Sequence, residues 1–187
     1  MAQSLLPRVT AAQYLAREAT ATERSEYRDG LVVGMSGGSL NHGRLVYALG
    51  AALSNATEGT PCEGLGSEIK LRIELANAYY YPDAMLVCGE VDVESEPNGI
   101  VRNPLIVFEV LSPGTERFDQ KQKFLDYQTV PSIREVVFLW SERRLAERYE
   151  RADDGSWRYT AYLGETLPLG AAGIELDLAR LYARLGL

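Results

Sequence analysis

From Arg44 to Thr57 the apolar positions recur every four residues, at Leu45, Leu49 and Leu53 with Val46 beside them. That spacing puts them on one face and predicts an amphipathic helix. The period then drops to two. Ile69, Leu71 and Ile73 alternate with Lys70, Arg72 and Glu74, which predicts a strand with one wet face. Ala76-Asn77-Ala78 can turn the chain, and Tyr79 to Cys88 reads as the next strand. Leu105 to Leu111 is a dense apolar run suited to a central strand, and Val136 to Trp140 is a second buried one. Ser112-Pro113 opens a helix running to about Gln128, since proline suits the first helical position.

The punctuation is equally legible. Thr10 and Gln13 have the spacing of a capping box ahead of a short helix begun by Tyr14 and Leu15. Asp29-Gly30, between two extended segments over 24–35, predicts a hairpin. Asp153-Asp154-Gly155, between Tyr149 and the segment Trp157 to Tyr162, predicts another. Ser36-Gly37-Gly38-Ser39 reads as a loop, and so do residues 89–103, which are acidic and polar and contain Pro97-Asn98-Gly99. Ile174 to Leu187 is a closing strand or turn followed by a short helix. The order of elements predicts one mixed α/β (α+β) domain over residues 1–187, with a mixed sheet carrying helices on its faces.

Composition narrows the function classes. A chain of 187 residues supports one substantial core, and no apolar run approaches the ~20 residues of a membrane span. The first ten residues lack the layout of a secretory signal, so a cytoplasmic protein is expected, with Cys62 and Cys88 as reduced thiols. Two cysteines and the single His42 exclude four-thiolate and poly-histidine zinc sites. A net charge of −7 argues against tight, indiscriminate DNA binding. It leaves weak or metal-assisted binding open, with Lys70, Arg72, Arg117, Lys121, Lys123, Arg143 and Arg144 as candidates for a local basic groove.

Two carboxylates stand where a core would exclude them. Glu109 interrupts Leu105 to Leu111, and Asp83 lies between Tyr79-Tyr80-Tyr81-Pro82 and Ala84-Met85-Leu86-Val87. A buried carboxylate is costly unless it is paired, protonated or bound to a metal. Adjacent strands would bring the pair within reach of one ion, and hard oxygen donors favour Mg²⁺ or Mn²⁺ over zinc. Each also has a plainer reading: Glu109 as a strand residue paired with an arginine, Asp83 as a turn former after proline. The tyrosines at 79–81 could stack on bases but are read as core packing.

Tyr80-Tyr81-Pro82-Asp83, Phe108-Glu109-Val110-Leu111-Ser112-Pro113, and then Asp119, Lys123 and Tyr127 together resemble the Uma family, described as "putative restriction endonuclease". Glu26-Tyr27 with Asp29-Gly30, and Ser39-x-x-His42, match as well, and the likeness runs from about Thr10 to Tyr182. The resemblance implies the PD-(D/E)XK nuclease superfamily, whose restriction-endonuclease-like fold is a mixed central sheet flanked by helices. It implies Mg²⁺-dependent phosphodiester hydrolysis, with Asp83 and Glu109 as metal ligands. The superfamily lysine belongs two residues after the second acid, where this chain has Leu111. The resemblance moves that role to Lys123. A helical wheel instead puts Lys121 in the apolar sector with Phe118, Phe124 and Leu125, leaving Asp119, Lys123 and Tyr127 as a candidate surface cluster.

Glu26 is a candidate third carboxylate, or an exposed strand residue paired with Arg24 or Arg28. His42 is a candidate for the edge of the site, or a helix-capping residue, and Glu68 is a weaker candidate still. The expected function is a divalent-metal-dependent DNA endonuclease, acting as a homodimer because symmetric pairs are the commonest oligomers. Its alternatives are a decayed nuclease-fold binding protein and a hydrolase of small phosphate esters.

Overall fold

The structure is a computed structural model that describes residues 8–35, 38–94, 99–112, 118–164 and 166–187, with backbone alone at 118 and 119. Helix α1 (Ala11–Glu18) opens on the expected capping box, with Thr10 and Gln13 exchanging side-chain-to-backbone bonds. Strands β1 (Ser25–Arg28) and β2 (Leu31–Gly34) form the first hairpin, and Asp29 and Gly30 take positive φ at its turn. Gly30 is constrained twice, because a Cβ there would also meet the Arg8 side chain at 2.6 Å. Helix α2 (Leu40–Ala56) begins four residues earlier than its apolar pattern, because the Ser39 hydroxyl caps the His42 N–H. Its Leu45, Leu49 and Leu53 are fully buried, each contributing about 2 kcal/mol.

There follow β3 (Cys62–Gly66), β4 (Lys70–Ile73), β5 (Ala78–Tyr80), β6 (Ala84–Cys88), β7 (Ile100–Val101), β8 (Ile106–Leu111), α3 (Phe118–Tyr127) and β9 (Glu135–Trp140). The chain closes with β10 (Ala146–Arg151), β11 (Trp157–Tyr162), β12 (Thr166–Leu169), β13 (Ile174–Asp177) and α4 (Leu178–Tyr182). A six-stranded sheet runs β11-β10-β9-β8-β6-β3, parallel only between β8 and β9. A five-stranded sheet runs β2-β1-β5-β4-β7, and β12 pairs with β13 alone. One face of the six-stranded sheet packs Leu86, Phe108 and Leu139 against α2, α4 and the β12–β13 pair. Its other face packs Met85, Val107 and Phe138 against β4, β5 and Tyr127 of α3. The architecture is mixed α+β, as expected, with two principal sheets in place of one.

Several expectations change. Tyr79 to Cys88 is two strands in two sheets, broken at Tyr81-Pro82-Asp83, because Pro82 has no N–H for a ladder. The face of β4 expected to be wet is covered except at Glu74, just past its end: Lys70 is buried and Arg72 half-buried, because aromatic rings cover them. The expected loop over 89–103 carries β7, which pairs in parallel with β4. Cys62 and Cys88 are not reduced thiols. The β3–β6 register sets them opposite each other and they form a disulfide, so the compartment argument built on them falls. Ser36-Gly37, Pro97-Asn98, Pro113, Arg117 and the Asp119 side chain lie outside the described residues. No helix among the described residues is long and apolar enough to cross a membrane.

Candidate active site

The two carboxylates meet through strand register. β6 and β8 are antiparallel with Ala84 opposite Phe108, so one further step sets Asp83 opposite Glu109. Alternation along β8 turns Glu109 to the same face as Val107 and Leu111, away from Phe108 and Val110. Asp83 takes over where Pro82 interrupts pairing: its Oδ2 accepts the Val110 N–H at 2.7 Å. A cavity of about 830 Å³ lies over the pair, with Glu26, His42, Tyr81 and Lys123 in its walls and Val33 and Gly34 of β2, with Met35 after them, at one side.

Helix α3 supplies the cation. Lys123 Nζ donates to Glu26 Oε1 at 2.8 Å and to Glu109 Oε1 at 3.1 Å, and the Tyr127 hydroxyl donates to the same Glu109 oxygen. The wheel misleads here. Lys121 is exposed and Leu125 is 47% exposed, while Lys123 and Tyr127 face inward. The helix turns its polar face inward because the buried carboxylates lie there. Phe124 packs beside it on Tyr149, 4.2 Å between ring centroids, and on Trp157 at 5.5 Å.

Glu26 belongs to the site and to neither suggested arginine, since its Oε1 also accepts the Tyr81 N–H at 3.0 Å. Arg24 pairs with Glu68 and Arg28 with Asp126, so Glu68 is a surface residue outside the site. His42 Nε2 stands 3.3 Å from Asp83 Oδ1. Gly38 lies so close to the ring that a Cβ there would sit 2.5 Å from His42 Nδ1. Tyr79, Tyr80 and Tyr81 are buried, and Tyr81 also contributes to the cavity wall. Among the described residues the expected basic groove does not assemble: Lys70 lies over the Tyr81 ring, Arg72 over Tyr79 and Arg143 over Trp140. Lys121, Arg143 and Arg144 are exposed.

The electrostatics follow from three neighbouring carboxylates, with the Lys123 ammonium between Glu26 and Glu109 and Asp83 beside Glu109. Burial pushes Glu109 up to about 7, opposed by Lys123 and reinforced by Asp83 and Glu26. Burial alone would lower the Lys123 pKa, but Glu109 and Glu26 outweigh it and hold the ammonium protonated. Burial and then the two glutamates push the Tyr127 phenol upward. The hydrogen bond to Asp83 raises His42 above the usual imidazole value, against its burial. Among the described residues no group of three or more His, Cys, Asp and Glu side chains is placed to hold a metal ion. Two hard carboxylates facing an open cavity suit an ion that keeps waters or phosphate oxygens as its remaining ligands, as Mg²⁺ does.

Sequence reasoning passed over Gly38 and the N–H groups of Tyr81 and Val110. The Gly-Gly-Ser run just before a helix was the available signal for Gly38; backbone donors leave none.

Comparisons with known proteins bear on the family and the fold. The model of the Uma2 family, described as "Putative restriction endonuclease", matches residues 11–179. The chain is 34% identical over 157 residues to the Synechocystis protein sll1609, covering 84% of this chain and 89% of that one. It is 31% identical over 177 residues to slr1290 of the same organism, covering 94% and 92%. Among solved structures it resembles one from Anabaena variabilis described as "a putative nuclease belonging to DUF820", with a TM-score of 0.74 and 13% identity over 95% of this chain and 99% of that one.

Proposed function

The chain belongs to the Uma2 family of "putative restriction endonucleases", and from that membership we propose that it is a Mg²⁺- or Mn²⁺-dependent endonuclease that hydrolyses DNA phosphodiester bonds. The observation that carries the reading is Asp83 opposite Glu109 on the cavity floor, with Lys123 against Glu109. Asp83 and Glu109 would hold the ion, which when bound acidifies a water and neutralises charge on the scissile phosphate. The donor set fits: without a cation, three carboxylates face one ammonium, and the excess negative charge would repel a phosphate.

The remaining roles fall to the chain's own groups. Tyr127 and Lys123 fix one Glu109 oxygen, and the Val110 N–H fixes one oxygen of Asp83, so both carboxylates are oriented before substrate arrives. Lys123 is held protonated and so cannot act as a base. Its charge is placed to stabilise the negative charge that grows on the phosphate oxygens. Glu26 holds Lys123 in place. His42 orients the second oxygen of Asp83. A decayed site would leave the carboxylates tied to arginines and Lys123 in solvent. The partners described for Asp83 and Glu109 are His42, Lys123, Tyr127 and the Val110 N–H, which favours catalysis.

A homodimer would form through β2, the strand that borders the cavity. β2 is an edge strand with all four residues exposed, and between Gly30 and Thr57 the only residue of formal charge is Arg44. Two copies each carrying −7 could approach there without repulsion, pairing β2 with β2.

The test is nicking of supercoiled plasmid with Mn²⁺ or Mg²⁺ by the parent, Asp83→Ala and Glu109→Ala. Metal-dependent nicking absent from both variants is expected. Equal cleavage by all three would overturn the reading.

A further inference from the structure

Lys123 reaches its two carboxylates from a helix of ten residues, and something must fix how that helix is rolled. Around its axis Asp126 and Phe124 flank the Lys123–Tyr127 pair, about 60° to one side of Lys123 and about 100° to the other. Phe124 anchors its flank on Tyr149 and Trp157 of the six-stranded sheet. Asp126 anchors the opposite flank on the five-stranded sheet. It is 4% exposed and takes both arms of Arg28, Nε to Oδ2 at 2.7 Å and Nη2 to Oδ1 at 3.1 Å. The Tyr80 hydroxyl adds a bond to Oδ2 at 2.6 Å, and Gln122 one to Oδ1 at 3.2 Å.

The groups on Asp126 adjoin the site. Arg28 lies two residues from Glu26 on β1, on the same side of the strand. Tyr80 precedes Tyr81, whose N–H holds Glu26, and Lys123 Nζ lies 5.3 Å from the Tyr80 ring centroid. We infer that Asp126 is a positioning residue: by tying α3 to β1 and β5 it holds the Lys123 ammonium between Glu26 and Glu109. The inference rests on the reading of Lys123 as part of the active site. Its test uses neither DNA nor metal.

The chain has three lysines, and they form a built-in set of controls: Lys121 is exposed, Lys70 is buried elsewhere, and Lys123 is in the site. Trace acetylation with acetic anhydride, quantified by mass spectrometry, reads each amine. In the parent Lys121 should react quickly, and Lys70 and Lys123 slowly. In Asp126→Asn, Lys123 should gain about tenfold relative to Lys121, within the range of couplings between adjacent groups, while Lys70 does not change. Arg28→Gln, which leaves Asp126 in place, should give the same result, and the double variant should add little to either. It also carries the measurement if Asp126→Asn does not fold. An unchanged Lys123 would overturn the inference. So would Lys70 and Lys123 rising together, which would mean that Asp126 serves overall stability only. A protein that fails to nick plasmid still returns this answer, so the two readings fail separately.

Discussion

Replacing Glu109 with glutamine should make the fold more stable at neutral pH while removing the activity. Glu109 is 7% exposed in a strand covered on both faces, and burial raises its pKa from 4.5 to about 7 even with Lys123 beside it. Between those values the folded chain holds a proton that the unfolded chain releases. Stability is therefore greatest below about 4.5 and declines as pH rises through about 7. At about 1.4 kcal/mol per unit, the loss is about 3 kcal/mol. Glutamine never ionises, and its carbonyl can still accept from Tyr127 and Lys123, while Lys123 keeps Glu26. Urea unfolding of the parent and Glu109→Gln should give similar midpoints near pH 5. The curves should separate until the variant is more stable by about 2–3 kcal/mol at pH 8, a rise of several degrees in Tm. The comparison cancels Glu135, which does not interact with Glu109, whereas His42, raised in part by the Glu109 charge, cancels only in the part set by Asp83. Adding Mg²⁺ at pH 8 should stabilise the parent by mass action and the variant much less. Parallel pH curves, or a variant less stable at pH 8, would refute the reasoning, because Glu109 would then be ionised at no cost.

Lys123→Met should lower stability by about 3–5 kcal/mol by leaving Glu26 and Glu109 facing each other without a cation, and should abolish nicking; urea unfolding and the plasmid assay check the two effects. Gly38→Ala should push the His42 ring off Asp83 and lower the imidazole pKa, read directly by proton NMR because His42 is the only histidine. Asp83→Asn should lower it too, and an unchanged titration in both would mean that the His42–Asp83 contact does not form in solution. Reducing the Cys62–Cys88 bridge, which closes a loop of 26 residues, should cost about 3 kcal/mol, seen as a lower Tm with reductant in the parent and no such effect in Cys62→Ser. Val33→Glu on the exposed edge strand should shift sedimentation from dimer to monomer without lowering Tm in the monomer.

What was legible in the sequence was what short-range pattern encodes. The capping box at Thr10, the turn at Asp29-Gly30 and the spacing of Leu45, Leu49 and Leu53 each depend on neighbours a few residues away, and each forms as read. Asp83 and Glu109 stood out because a carboxylate in an apolar strand is anomalous. Nothing local shows that Pro82 sends β5 and β6 into different sheets, because that choice is made by partners far along the chain. Cys62 and Cys88 face each other for the same reason: β3 and β6 pair in that register. Lys70 looked like a solvent-facing strand residue because its cover, the Tyr81 ring, comes from another strand.

The placement of the lysine has a structural consequence. A lysine two residues after Glu109 would be fixed by strand alternation alone, as rigid as the β6–β8 pairing that sets Glu109 opposite Asp83. That position holds Leu111, which keeps the apolar wall of the cavity. The ammonium comes instead from α3, so completing the site depends on how a short helix docks between two sheets. The apolar stripe of α3 is a poor guide to that docking, since Leu125 is left exposed while Lys123, Asp126 and Tyr127 turn inward. Charge and hydrogen bonding orient the helix where hydrophobicity does not. A substitution in α3 that keeps the apolar pattern and removes Asp126 or Tyr127 should therefore disturb the site more than one that removes Leu125.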